Sequence, residues 1–383
     1  MKKFIKIILL LVLTLLPTLQ KVLAEEKIKI GLLVPLTGKN ASIGHSIIKA
    51  TRLAVDKIDS SLIEILPRDT ESNPEITLRA AKELSDLGVK IIIGPVFNEN
   101  LTYLDDLNDI TFLSLTNKNL NKSKNIISAG INATSQLKTI KKFIELKEIK
   151  KTIFLIPDTK NKNEIKRGIV NSKIKTLKTY IYDPIPTKLT AQIEKITEYE
   201  KRKQNLEDEI TRVEKSDENQ KERLIEGLKK KDTLGDVKFD SIIIADFDES
   251  LKSVTMSLLY TDILPKKKYF ITLNQWFDES LLKETSSQPI YFPSINKKNY
   301  EKFIKEYLKK FNEYPNQISF LSFDLVGLVY YLIIKNDLIV DEKIFSKKNM
   351  FKGKVGIFEI KDNKINHILN FYKVENKAFK RIF

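Results

Sequence analysis

Cysteine is absent from the 383 residues, and histidine occurs only as His45 and His367. Without thiols there is no disulfide framework, no thiolate metal site, no catalytic thiol and no bacterial lipid-anchor cysteine. Two imidazoles are too few for a histidine-rich metal centre and argue against a Ser-His-Asp hydrolase. Arginine supplies just 8 of the 66 basic residues, so the net charge of +16 is almost wholly lysine, spread along the chain and mixed with glutamate. The guanidinium that forks onto phosphates and base edges is the scarce group, and dispersed lysine reads as a solvated surface rather than a nucleic-acid face. Glycine-rich phosphate loops are missing too: Gly31 and Gly38 before Lys39 have the wrong spacing for a P-loop, and no G-x-G-x-x-G occurs. The adjacent acids Asp105 and Asp106 read as mid-helix neighbours that point apart, which does not suit a paired acid–base site. No catalytic residue, metal or cofactor is therefore expected.

The chain begins with Lys2, Lys3 and Lys6, the apolar run Ile7 to Leu13, Pro17 and the small-residue site Val22-Leu23-Ala24. This layout predicts a secretory signal peptide over residues 1–24. Its apolar core is shorter than the ~20 residues that a spanning helix needs, and no later run is long and apolar enough to span a membrane, so no stable membrane insertion is expected once the signal is removed. The mature protein is expected to be soluble and exported.

From Lys27 onward, short β-branched runs alternate with amphipathic stretches, the pattern of parallel strands joined by crossover helices. Strands are predicted at 27–34, 63–66, 89–93, 111–115, 152–156, 241–245 and 269–272, with an edge strand at 125–128. Ser42 to Ile58 carries apolar residues near the helical period. Asn73 and Pro74 have the chemistry of a helix N-cap and first position, and Gly88 that of a stop. The fold class is α/β, with two open parallel sheets in two lobes. Between Lys188 and Lys231 the composition turns strongly charged, with apolar residues three, four or seven apart, which predicts a helical-hairpin insertion in the second lobe.

In open α/β sheets the ligand crevice lies beyond the carboxyl ends of the strands. That rule selects Thr37, Arg68 and Asp69, Asn98, Thr116 with Asn117 and Lys118, Asp158, and Asn274 with Trp276 as candidate ligand-binding positions. The same rule selects Asp248, after the strand at 241–245.

The runs Ile30 to Gly38 with Ser42-Ile43-Gly44, Leu66 to Thr70, Ile93 to Val96, Lys151 to Asp158, Phe239 to Ile242, Phe311 to Pro315 and Ser322 to Asp324 resemble, in order, the leucine-binding-protein family of the type 1 periplasmic substrate-binding fold. Leu66 to Thr70, the charged insert and Asp232 to Gly235 are most similar to the branch called penicillin-binding protein activators. The resemblance implies two lobes joined by three crossing strands and closing by a hinge, with residues 25–132 and 293–345 in lobe 1, 133–292 and 346–383 in lobe 2, and 188–231 inserted in lobe 2. It also implies ligand contacts from Asn98, Thr116 to Lys118, Asp158 to Glu164, Phe247 and Asn274 to Trp276. Asn98 stands where the amino-acid receptors of the family have serine, and Lys118 where they have threonine. The implied partners are a small-molecule solute and an ABC permease, or else a penicillin-binding protein; nucleic acid is not among them.

Overall fold

The structure, a computed structural model, describes residues 27–118, 124–217, 219–273, 276–354 and 356–383. The signal-peptide expectation lies outside these residues. The described chain divides into two compact units. Unit 1 contains the residues up to Leu115, 124–126 and 321–344; unit 2 contains 116–118, 127–320 and 345–383. Residues 116–118, 127–132, 293–320 and Phe345, expected in lobe 1, fall in unit 2.

The first sheet has five strands: β1 (Ile28–Val34), β2 (Ile63–Asp69), β3 (Ile91–Ile93), β4 (Thr111–Ser114) and β5 (Ile126–Ser128), in the order β2-β1-β3-β4-β5. The pairs β1–β2, β1–β3 and β3–β4 are parallel. A parallel strand covered on both faces must be apolar throughout, and β1 from Ile30 to Val34 and all of β3 are buried. Helix α1 (Ala41–Ile58) follows β1 and buries Ile47, Ala50, Leu53 and Ala54, the stripe that its 3.6-residue period aligns. Helix α2 (Pro74–Asp86) starts where expected, because the Asn73 side chain accepts from the backbone N–H groups of Glu75 and Ile76 and Pro74 gives up no needed donor.

The second sheet has seven strands in the order β15-β14-β10-β9-β8-β6-β7. They are β6 (Thr152–Pro157), β7 (Lys178–Tyr182), β8 (Ser241–Ile244), β9 (Tyr269–Thr272), β10 (Ile290–Ser294), β14 (Asn370–Glu375) and β15 (Ala378–Arg381). Strands β6 to β10 are mutually parallel, whereas β14 and β15 add antiparallel pairs at one edge. Helix α3 (Ala133–Leu146) packs Leu137, Ile140 and Phe143 on one face with Phe154, Ile156, Ile243 and Ile271. On the other face Leu189 and Ile193 of α5 (Pro186–Ile196) and Leu251, Val254 and Leu258 of α8 (Asp248–Tyr260) meet Ile153, Leu155, Ile242 and Phe270. Helix α4 (Lys162–Ser172) crosses from β6 to β7.

Three predictions are corrected. The segment with Asp105 and Asp106 is a series of turns, not helix. Short polar side chains at Thr102, Asp105, Asp106, Asn108 and Asp109 compete for the backbone and favour turns. The charged insertion does not begin at Lys188: α5 is an ordinary crossover helix of the sheet, and the charged pair is α6 (Tyr199–Glu214) with α7 (Lys221–Lys229). A three-stranded antiparallel sheet, β11 (Asn349–Lys352), β12 (Ile357–Lys361) and β13 (Lys364–Ile368), was not foreseen. It is tied to α3 through His367, whose backbone N–H donates to Ser135 Oγ at 3.1 Å.

Buried Arg202 holds the charged helices to unit 2. Its Nε donates to Thr197 O at 2.9 Å, Nη1 to Thr233 Oγ1 at 2.9 Å and Nη2 to Thr261 O at 2.5 Å. The guanidinium fork thus joins the foot of α6, the chain beyond α7 and the end of α8.

Candidate functional site

Both sheets share one internal order. β2-β1-β3-β4 and β7-β6-β8-β9 each run out in one direction from the first strand, then return past it to the other side. The reversal leaves a switch point, between β1 and β3 in unit 1 and between β6 and β8 in unit 2, where flanking loops part and carboxyl-end groups stand accessible.

In unit 1 the backbone just beyond β3 and the start of α1 lie close against the end of β1. A Cβ on Gly94, whose φ is +111°, would lie 2.3 Å from Leu33 O, and one on Gly44 would lie 1.7 Å from Pro35 O. Glycine at these two places lets the β3 loop and the start of α1 close on the end of β1. Thr37 and Asp69 are brought into direct contact: the Thr37 hydroxyl donates to Asp69 Oδ2 at 2.6 Å, while Asp69 Oδ1 accepts from Leu36 N at 2.7 Å and Glu71 N at 2.8 Å. Burial pushes the Asp69 carboxyl up, but the Thr37 hydroxyl and the backbone N–H groups outweigh it and hold the acid below its ordinary value. Asp69 therefore shapes the loop. Arg68 is not part of this cluster, since successive strand residues point to opposite faces. Its guanidinium meets Glu83 of α2 at 3.2 Å and its own neighbour's carbonyl, Pro67 O, at 2.9 Å. Asn98 opens a short 3-10 turn after β3 and is half-buried.

Beyond β4, in unit 2, Thr116 is buried, Asn117 exposed and Lys118 half-buried. Thr116 Oγ1 accepts from Lys118 N at 3.3 Å, and Thr116 O accepts from Ser128 Oγ at 2.8 Å and Gly130 N at 3.1 Å.

The carboxyl edge of the second sheet carries Asp158, Phe247 and Trp276. Asp158 pairs with Lys162, the first residue of α4, and its N–H donates to Tyr182 O at 2.8 Å. Phe247 caps α8 and is 41% exposed. Trp276, at φ +50°, stacks obliquely on Phe320 with ring centroids 5.4 Å apart. Asn274 lies outside the described residues.

The strand-end reading does not select Asp246, a buried acid of this edge. Asp246, only 9% exposed, accepts from Tyr182 Oη at 2.5 Å, and its Oδ1 accepts from Phe247 N at 3.0 Å. Burial drives the Asp246 carboxyl above its ordinary value against the pull of these donors, and the Tyr182 phenol is driven up by burial and by the acid. Tyr182 ends β7 and Asp246 follows β8, so the bond passes the end of β6, the strand between them. The available signal was Tyr180-Ile181-Tyr182 before Asp183-Pro184, which has the form of a strand with its terminator, together with an acid directly after a continuous buried strand. The arrangement supplies hydrogen-bond acceptors and an aromatic surface. Among the described residues no group of three or more His, Cys, Asp or Glu is placed to hold a metal ion.

Residues 27–191 match the family model described as periplasmic binding protein. No curated protein matches the sequence. Among solved structures the chain is similar to the C-domain of LpoA from Haemophilus influenzae, a regulator of PBP1A, at 14% identity and a TM-score of 0.61, covering 93% of this chain and 100% of that one. It is similar also to the leucine binding protein LivK of Thermotoga maritima, at 14% identity and a TM-score of 0.56, covering 93% and 98%. A branched chain amino acid ABC transporter periplasmic ligand-binding protein from Burkholderia xenovorans aligns at 11% identity and a TM-score of 0.65, covering 93% and 95%. At such identities the likeness is one of fold. The periplasmic binding protein model thus covers residues 27–191, and the chain as a whole has the type 1 periplasmic-binding fold. No helix among the described residues is long and apolar enough to cross a membrane.

Proposed function

We propose that the protein is an exported, non-catalytic solute-binding protein that takes a small polar, amino-acid-like ligand on its strand-end loops and delivers it to an ABC-type permease. The observation that carries this reading is the repeated strand order, which gives each unit a switch point furnished with polar or aromatic loop groups: Thr37, Asp69 and Asn98 in one, Asp158, Asp246 and Phe247 in the other. The family match over residues 27–191 supports it, as does the low-histidine, cysteine-free composition. Asn98, Asn117, Lys118, Phe247 and Trp276 are the proposed contacts, while Thr37 and Asp69 fix the loops after β1 and β2 in unit 1.

A melting-temperature screen with amino acids and small organic acids tests this. A true ligand raises the midpoint progressively with its concentration. Binding that survives replacement of both Asn98 and Phe247 by alanine would contradict the site, and a screen without any shift would contradict the reading. A second reading, an envelope regulator that binds a peptidoglycan synthase, is favoured by the pinned charged hairpin of α6 and α7 and by fold likeness to the LpoA C-domain. It predicts that residues 203–230 can be replaced by a short linker without loss of solute-induced stabilisation but with loss of synthase capture.

A further inference from the structure

The parallel strands of unit 2 have a second edge, where they begin, and it holds a cavity of about 720 Å³. Its walls come from the turn Pro265 to Lys268 before β9, the approach to β10 at Gln288 and Pro289, and the β14–β15 turn at Asn376 and Lys377. Tyr269 and Tyr291 form an aromatic wall, with ring centroids 5.4 Å apart, and both rings rest on Phe143.

The charge in this cavity is unbalanced. Of its five charged side chains, Lys268 is neutralised by Asp236 at 2.8 Å, and Glu375 is neutralised by Lys373 at 2.8 Å and Lys380 at 3.2 Å. Lys266, Lys267 and Lys377 make no ion pair among the described residues. Three like charges around one concavity repel one another unless an anion enters. Lys377 is held in place by a buried group: Gln288, 8% exposed, donates to Leu281 O at 2.9 Å and accepts from Lys377 N at 3.2 Å. The turn that carries one ammonium group is thereby fixed opposite the turn that carries the other two, before any ligand arrives.

We propose that this cavity binds a small phosphate-bearing polyanion, with its phosphates among Lys266, Lys267 and Lys377 and any flat apolar portion against Tyr269 and Tyr291. Phosphate is preferred to carboxylate because the lining presents three ammonium point charges without ion pairs, and a phosphate group brings about −1.5 to −2 charge against one for a carboxylate. The volume lies in the range of small-molecule pockets. The site is independent of the proposed solute function, since it stands at the opposite edge of the sheet from Asp246 and Phe247.

Calorimetric titration of the full chain with pyrophosphate tests the assignment, with citrate as the carboxylate counterpart. Replacing Lys266, Lys267 and Lys377 together by serine should weaken pyrophosphate binding by about tenfold or more, because three charge-assisted contacts are lost. Removing the same charge at exposed Lys138, Lys166 and Lys175, elsewhere on unit 2, should change it less than about twofold, since separated surface charges are screened. Both variants change only exposed lysines and should keep the parent melting temperature. Absence of pyrophosphate binding at millimolar concentration overturns the site. Equal weakening in the two triple variants overturns it in favour of diffuse surface charge, and citrate binding as tightly through the same lysines overturns the phosphate assignment.

Discussion

His367 should make this protein acid-labile well above the pH at which carboxylates titrate. The imidazole is 4% exposed, stands 4.8 Å from the Phe358 ring and places Nε2 2.8 Å from Ala129 O. A carbonyl can only accept, so Nε2 carries the proton and Nδ1 is bare; Nδ1 is buried with no hydrogen-bond partner. Charging the ring would bury a cation whose second N–H points at nothing, and this burial lowers its pKa from 6.5 to about 4 despite the bond to Ala129. In the unfolded chain the imidazole takes up its proton near pH 6.5, whereas in the folded chain it stays neutral down to about 4. The stabilising effect is thus complete above pH 6.5 and is lost as pH falls through that window. At about 1.4 kcal/mol per unit the loss is about 3 kcal/mol, a sizeable share of a typical stability of about 5–15 kcal/mol. Urea unfolding measured from pH 7 to pH 4 should show the decline in the parent protein and a shallower one, by one proton, in His367→Gln. NMR titration of the His367 ring should find no midpoint above pH 5. Parallel stability profiles for the two proteins, or a folded-state ring that titrates near 6.5, would refute the reasoning.

Three further outcomes follow from the contacts described. Tyr182→Phe removes the donor from a buried carboxylate and should cost about 1–3 kcal/mol at pH 7; because a protonated Asp246 no longer needs that donor, the cost should shrink at pH 4, and a pH-independent loss would count against the pair. Gly44→Ala drives a methyl into the Pro35 carbonyl and should cost more than about 3 kcal/mol or prevent folding, so an unchanged melting temperature would contradict the packing of α1 on the β1 loop. Arg202→Leu leaves three buried oxygen partners without their donor and should cost about 2–4 kcal/mol. It should also expose the α6–α7 segment to protease before the rest of unit 2 is cut; simultaneous cleavage throughout would show that the hairpin is not separately anchored.

The alternation of buried β-branched runs with amphipathic helices was written in the sequence, because a parallel strand covered on both sides can contain little else. Ile28 to Val34, Ile91 to Ile93 and Ser241 to Ile244 declare themselves in this way, and the Asn73-Pro74 start of α2 does so through capping chemistry. β7 escaped notice because it is a half-exposed edge strand, whose lysine and threonine break the apolar run. The antiparallel meander from β11 to β13 has the weak alternation of short strands covered on one side only.

The strand-end rule points to loops at the carboxyl ends of the strands but does not say what each side chain does there. Asp69 and Thr37 turned out to satisfy one another, and Arg68 turned to the other face of its strand. Local pattern determined the element types, their order and the edge of each sheet at which polar loops gather, since those depend on neighbours along the chain. Only the folded structure decided that Tyr182 meets Asp246 across 64 positions of sequence, that His367 is sealed against Ala129, and that Lys377 faces Lys266 and Lys267. Those contacts arise from strand order and packing, which bring together residues that no local spacing relates.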